Sequence, residues 1–267
     1  MISFSCKWLR KDGTPVVTDE AVQSYAEAVL GDYRPDLLEE PGKIDAFHFI
    51  ENYLGLDLDF TDIYYEEGES PIAGMMVFND EEIRIFDRER LCIRNLPVRG
   101  DTILIDNMLN EIGRDSYRYF TMLHECGHSL LHRTVFDRKS SVAACRLSSI
   151  VKIYEKKLLE TENDFREHQA STFAAALSMP RKTFIPAAAS LIRRAGYDEG
   201  VLLEDKYSFP ETQMKISFVT YSLAVLFGVS QSAVLVQMNR QGLYKKKMRV
   251  VSSLSRYSDP VYMAGMV

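Results

Sequence analysis

Cysteine is scarce in this sequence, and the few cysteines present follow no ligand or disulfide pattern. The 267 residues include only Cys6, Cys92, Cys126 and Cys145, which are widely separated. None of them has the C-x-x-C spacing that indicates a thiolate zinc site. A small secreted protein held together by disulfides would use more cysteine at closer spacing. The cysteine content therefore argues against a disulfide framework and is typical of a protein in a reducing cytoplasm.

Long apolar runs are also lacking. The nearest candidate, ISFVTYSLAVLFGVS, is shorter than a bilayer requires and is interrupted by Ser, Thr, Tyr and Gly. The N-terminal residues MISFSCKWLRKDG have neither the apolar segment nor the small-residue cleavage site of a secretory signal. We therefore expect no membrane span and a cytoplasmic location.

Positive charge is not in excess. The chain has 32 Lys and Arg against 38 Asp and Glu, a formal net charge of −6. Non-specific binding to nucleic acid normally depends on a surplus of basic residues that neutralise phosphates. Direct DNA binding is therefore not expected to be the main task. The hydrophobic content of 46% is ordinary for a globular protein long enough to bury a sizeable core.

The first third of the chain has a mixed pattern. Helices are predicted at 18–31 and 44–54, each closed by a glycine. The two strand-like runs that flank Asn79 and Asp80 predict a β-hairpin, and residues 102–106 predict a further strand. We expect these elements to form two helices packed with a small antiparallel sheet.

From residue 115 onward the pattern is helical. Proline and glycine divide this part into helices predicted at 116–132, 161–178, 182–195, 211–227 and 231–241. The predicted organisation is a mixed domain at 1–180 that includes the first two of these helices, a helical unit resembling a helix-turn-helix at 181–245, and a tail at 246–267.

Three of the five histidines lie in FTMLHECGHSLLH, residues 120–132. On a helix, His124 and His128 are one turn apart and differ by about 40° around the axis. Their Cβ atoms lie about 5–6 Å apart, so both imidazoles can reach one zinc ion at the usual distance of about 2.0–2.1 Å. Glu125 flanks the pair, where a carboxylate can take a proton from water. This H-E-x-x-H spacing is typical of zinc peptidases.

His132 continues the four-residue spacing but occupies a different position. Two turns from His124, it is displaced by about 12 Å along the axis, so it cannot share one ion with both other histidines on a regular helix. We predict that His132 and Arg133 give positive or hydrogen-bonding character to the end of the helix. Cys126 faces the opposite side and is predicted to be a core residue.

A catalytic zinc normally has three protein ligands and one open position, so a third ligand must come from elsewhere. On the helix at 161–178, Glu167 shares one stripe with three small residues, Ala170, Ser171 and Ala174. This flat stripe lets the helix closely approach the helix at 116–132, which carries the two histidines. Gly127 on that helix would allow the same close approach. Glu167 is thus a candidate ligand, and His168, about 100° around the axis, is its rival.

Three segments resemble the signature blocks of the ImmA/IrrE family of zinc metallo-endopeptidases. They are FTMLHECGHSLLH, EHQASTFAAALSMP and LAVLFGVSQSAVLVQMNRQGL. Two earlier segments, PGKIDAFHFIENYLGLDLDF and IAGMMVFNDEEIRIFD, resemble the N-terminal part of the family. The middle block is the most specific, because it combines a glutamate, small residues and a helix-ending Met-Pro.

The resemblance implies an α+β fold with a zincin-like metallopeptidase core and one catalytic Zn²⁺. It implies that His124, His128 and Glu167 are the ligands and that Glu125 is the general base. Family members are typically cytoplasmic proteases that cleave one protein, often a helix-turn-helix repressor, and so relieve gene repression. One departure from the family is the connection at 133–160, which is longer than usual.

Two alternative functions stay open at this point. The segment LAVLFGVSQSAVLVQMNRQGL also fits a DNA-binding helix-turn-helix, in which Gln231, Ser232 and Gln237 would face base edges. Its second helix carries one basic residue, Arg240, which argues against that reading. The other alternative is a metal-holding binding module without protease activity, and the intact Glu125 argues against it.

Overall fold

A computed structural model describes residues 2–139, 142–146, 159–204 and 206–245. Strands are concentrated in the first half and long helices in the second, which confirms the predicted α+β class. The helices are α1 (Asp19–Tyr33), α2 (Ala46–His48, continued by a π-helical segment Phe49–Leu54), α3 (Asp115–Leu131), α4 (Arg133–Lys139), α5 (Glu162–Ser178), α6 (Arg181–Arg194), α7 (Phe209–Phe227) and α8 (Gln231–Arg240).

The predicted helices are present, with ends shifted by a few residues. The side chain of Thr18 caps α1 by accepting the N–H of Ala21. The helix then continues through Gly31, where the sequence predicted its end, to Tyr33. It stops ahead of Pro35, because the residue before a proline disfavours helical backbone.

The described strands are β1 (Asp57–Thr61), β2 (Ile72–Val77), β3 (Glu81–Asp87), β4 (Cys92–Val98), β5 (Thr102–Asp106), β6 (Val142–Arg146), β7 (Leu202–Leu203) and β8 (Tyr244–Lys245). Four of them form the main sheet, in the order β1-β5-β2-β6. Strand β2 pairs antiparallel with β5 and β6, as predicted for the sheet, whereas β1 joins β5 in parallel, so the sheet is mixed. Two smaller pairs are β3 with β4 and β7 with β8.

The predicted hairpin around Asn79 and Asp80 is wrong. Strand β2 is buried along almost its whole length and lies between β5 and β6, whereas β3 alternates exposed and buried residues and pairs with β4. Asp80 serves the connection between these sheets, since its Oδ1 accepts the N–H of Gly100 at 2.9 Å. Asn79 and Asp80 thus connect two consecutive strands, as predicted, but these strands belong to different sheets.

Strand β6 lies in the long connection at 133–160, where no strand was predicted. It extends the main sheet by pairing with the outer side of β2. The rest of that connection lies partly outside the described residues, as does the predicted tail at 246–267.

The C-terminal helices α6, α7 and α8 pack on the same buried core as α3. Phe184 of α6 and Phe227 of α7 are fully buried, with ring centroids 5.6 Å apart. Gly228 ends α7 with a φ of 69°, and α8 leaves at a bend of 102°. The domain boundary at 180 stays a prediction.

Among the described helices, no single one is both long and apolar enough to cross a membrane. Within the described part of the chain, the pair α7 and α8, taken together across its bend, has the required length and composition.

Helix α3 lies between the main sheet and α5, and glycines allow both approaches. A Cβ atom on Gly74 of β2 would lie 2.8 Å from Cγ2 of Thr121 on α3. On the other side, a Cβ on Gly127 of α3 would lie 3.0 Å from the Cα of Ala170 on α5 and 3.1 Å from its carbonyl oxygen. The small-residue stripe therefore produces the predicted close contact between the two long helices.

We expect Gly127→Ala to lower the free energy of unfolding by about 1–3 kcal/mol, because the added methyl meets backbone that cannot turn aside. Gly31→Ala is a matched control within α1, because its methyl would meet only the side-chain end of Leu38, at 3.2 Å. Urea denaturation of both variants, with chelator present, measures the difference. Equal stability of the two variants would contradict the close contact.

Candidate metal centre

Two histidines of α3 point at each other from successive turns. The Nε2 atoms of His124 and His128 lie 3.0 Å apart, and both side chains are only 1% exposed. The predicted four-residue spacing therefore brings both imidazoles to one point, in the buried middle of the helix.

Helix α5 brings Glu167 to the same point. Thr161 and Asp164 fix the start of α5 with reciprocal capping hydrogen bonds, one turn before Glu167. The Glu167 carboxylate lies 3.4 Å from Nε2 of His124 and 3.3 Å from Nε2 of His128. The three residues offer one ligand atom each within 4.8 Å of one another, so together they could hold a metal ion.

His168, the rival candidate, is directed elsewhere. Its Nε2 lies 2.7 Å from Oδ1 of Asp19 on α1. The structure thus brings Glu167, and not His168, to the two histidines of α3.

Glu125 lies beside the cluster and is completely buried. Neither carboxylate oxygen has a side-chain hydrogen-bond partner in the described part of the chain. Burial, and then the charge of Glu167, raise the pKa of Glu125 well above its usual value, and the backbone of Met76 on β2 acts weakly in the other direction. Such a carboxyl group is suited to accept and return a proton.

Burial and close contact shift the pKa values of two of the proposed ligands. Burial lowers the pKa of His128, which favours the uncharged ring. Burial alone would raise the pKa of Glu167, but hydrogen bonds and charge interactions with the two neighbouring imidazoles lower it below its usual value. Glu167 therefore presents a carboxylate anion to the point where the two histidines meet.

His132 lies at the C-terminal end of α3 and has hydrogen-bonding character there, the second of the two predicted possibilities. Its side chain is fully buried, and burial lowers its pKa well below the usual value, which disfavours a positive charge. Its Nδ1 lies 3.0 Å from Nδ1 of His128, on the side of that ring away from His124. Arg133 instead forms an ion pair with Asp101. Cys126 is buried in the core, as predicted.

Two residues near the cluster carried no sequence signal for the site. Ser171 of α5 was predicted only as a small contact residue, and its Oγ lies 3.3 Å from Nδ1 of His124. Cys145 of β6 brings its thiol within 4.8 Å of potential ligand atoms of His124 and Glu125. The cysteine belongs to the long connection, and only the pairing of β6 with β2 places it here.

The structure weakens the DNA-reading interpretation of α8. Gln237 is 3% exposed and donates to the carbonyl of Met179, so it cannot face a base edge. Gln231 is exposed, and its Oε1 accepts the hydroxyl of Thr220 on α7. The bent helix pair is present as predicted, but one of the three proposed reading residues packs inward.

One comparison with known proteins gives a family match over the part of the chain that contains the cluster. Residues 108–239, which include α3, α5 and most of α8, match the peptidase family model described as the IrrE N-terminal-like domain. No curated protein matches the chain in sequence. A solved structure of a Mycobacterium tuberculosis transcriptional regulator is similar over 82% of this chain and 46% of that one, with 15% identity and a TM-score of 0.41. The chain thus spans less than half the length of that regulator. On the strength of the family match, residues 108–239 of the chain belong to the ImmA/IrrE family of metallopeptidases.

Proposed function

We propose that the protein is a zinc-dependent endopeptidase that cleaves one specific cytoplasmic protein, a helix-turn-helix repressor, and so relieves gene repression. The observation that carries this proposal is the meeting of His124, His128 and Glu167 beside the buried carboxyl group of Glu125. The choice of a repressor as substrate rests on the family resemblance.

The donor set fits zinc in number, type and spacing. Two atoms bound tetrahedrally at about 2.0–2.1 Å from zinc lie about 3.3–3.4 Å apart. Here the two Nε2 atoms lie 3.0 Å apart, that of His124 lies 3.4 Å from Oε2 of Glu167, and that of His128 lies 3.3 Å from its Oε1. Two imidazoles and one carboxylate form a donor set known from catalytic zinc sites, which keep a fourth position for water or substrate.

In this mechanism the side chains have separate tasks. His124, His128 and Glu167 would hold the ion, which when bound supplies Lewis acidity to polarise the scissile carbonyl and acidify water. Glu125 would take the proton of the attacking water and return it to the leaving amine nitrogen. Its burial among protein groups keeps bulk water from competing for that proton.

The proposal is tested by incubating the purified protein with the repressor-like protein encoded nearest its gene. We expect two discrete fragments in the presence of zinc and none after treatment with a chelator. Mass spectrometry of the fragments identifies the bond. Cleavage that persists with chelator, or an intact repressor under all conditions while the chain holds stoichiometric zinc, would contradict the proposal for this substrate.

General protein substrates such as casein do not decide the question, because proteases of narrow specificity leave them intact. DNA binding is a separate outcome. A salt-sensitive shift of duplex DNA by the purified protein would favour the alternative in which the chain itself regulates transcription.

A further inference from the structure

A buried row of polar groups runs away from the metal centre behind His128. Nδ1 of His128 lies 3.0 Å from Nδ1 of His132, and Nε2 of His132 lies 2.9 Å from Oε1 of Gln169. The last hydrogen bond of the row is donated by Nε2 of Gln169 to the carbonyl of Pro15, at 2.8 Å. The three side chains are at most 5% exposed, so water does not replace these partners.

The direction of each hydrogen bond in this row of polar groups follows from its last member, the carbonyl of Pro15. The carbonyl of Pro15 can only accept, so the amide nitrogen of Gln169 must face it. The amide oxygen then faces His132 and can also only accept, so Nε2 of His132 must carry a hydrogen. A second hydrogen on Nδ1 would make His132 a fully buried cation, and neither Gln169 nor the ring of His128 offers it a negative charge. Nδ1 of His132 is therefore a bare acceptor.

The same logic continues to His128. Since Nδ1 of His132 accepts, Nδ1 of His128 must donate. With its hydrogen placed on Nδ1, the uncharged ring of His128 keeps the lone pair of Nε2 for an ion. That nitrogen is the one that faces Nε2 of His124 and the carboxylate of Glu167.

His124 lacks such a fixed partner. Its Nδ1 lies 3.3 Å from the hydroxyl of Ser171, which can donate as well as accept. The hydroxyl therefore does not determine the tautomer of His124. The constraint acts on one of the two histidines only.

We propose that His132 and Gln169 are positioning residues that hold His128 in the tautomer able to bind a metal ion through Nε2. The inference rests on the proposed function only in taking this centre to be a metal site. Partners of this kind orient metal-binding histidines and make them stronger donors, and their loss typically reduces metal affinity by about 10–100-fold.

Gln169→Leu tests the proposal, because it removes the acceptor and leaves a side chain of similar size. We expect its zinc affinity, measured by competition with a chromophoric chelator, to fall by about 10–100-fold. His132→Phe should give a similar loss.

Gln237→Leu is the matched control. Gln237 is equally buried, at 3% exposure, and its Nε2 also donates to a backbone carbonyl, that of Met179. We expect this variant to lower the melting temperature of the chelator-treated protein without weakening zinc binding. Zinc affinity in Gln169→Leu or His132→Phe equal to that of Gln237→Leu would overturn the proposal.

Ring ¹⁵N NMR spectra of the metal-free parent give a direct second test. They should show a hydrogen on Nδ1 of His128 and on Nε2 of His132. The reverse assignment would overturn the proposal. Neither test uses cleavage, so a parent protein that binds zinc but cuts no repressor would refute the proposed peptidase function and leave this inference standing.

Discussion

Glu125→Gln is expected to bind zinc as tightly as the parent and to cleave the protein substrate about 10²–10⁴-fold more slowly, the usual contribution of a general acid–base group. Glutamine has nearly the same shape, so it fits the fully buried site without disturbing His124 or His128. It cannot accept the proton of water or return one to the leaving amine. Single-turnover cleavage rates at saturating zinc measure the effect.

The control for this variant is Glu162→Gln, which removes an equivalent charge from the exposed first turn of α5. It should cleave at the parental rate. Zinc content, measured on the same samples, separates a lost proton carrier from a lost metal. Parental cleavage by Glu125→Gln would show that Glu125 is not the general base.

The arrangement of α3 and α5 could be predicted because it depends on short-range helix geometry. A spacing of four residues fixes the relation of His124 to His128 on any regular helix. The small residues beside Glu167 indicate which side of its helix can approach a neighbour closely, and Gly127 completes that contact. The preference for Glu167 over His168 came mainly from the family resemblance, and the ion pair of His168 with Asp19 is consistent with it.

Contacts between distant segments could not be predicted in this way. The turn at Asn79 and Asp80 has the local composition of a hairpin, but the partners of β2 are β5 and β6, which lie far away in sequence. The approach of Cys145 to the site depends on the same long-range pairing. No local pattern contains that information, because strand pairing is settled by burial across the whole sheet.

His132 shows a third kind of difference between sequence and structure. Its displacement of about 12 Å along the helix axis from His124 was expected to keep it from sharing the metal position, and His132 lies outside the group of three potential ligands. Its partner Gln169 lies on another helix, however, and burial is a property of the packed pair. The sequence therefore indicated what His132 does not do, and the structure was needed to find its contact with His128.

Glu167→Gln is expected to reduce zinc affinity by more than about 100-fold, because loss of a direct ligand should exceed the cost of losing an outer partner. The amide has the same size as the carboxylate but lacks the charge that lies between the two imidazoles. Loss of the metal should abolish cleavage as well. Chelator competition measures the affinity, and fragment formation measures the cleavage.

His168→Gln is the matched variant at the next position of α5. It breaks the contact with Asp19, a partly exposed pair of a kind that contributes about 0–1 kcal/mol to stability. Because the contact lies away from His124 and His128, zinc affinity should stay within about threefold of the parent. The pair of variants thus compares two potential ligands that are adjacent in sequence but point to different places. A greater loss of zinc in His168→Gln than in Glu167→Gln would mean that α5 turns a different face to α3 when the ion binds.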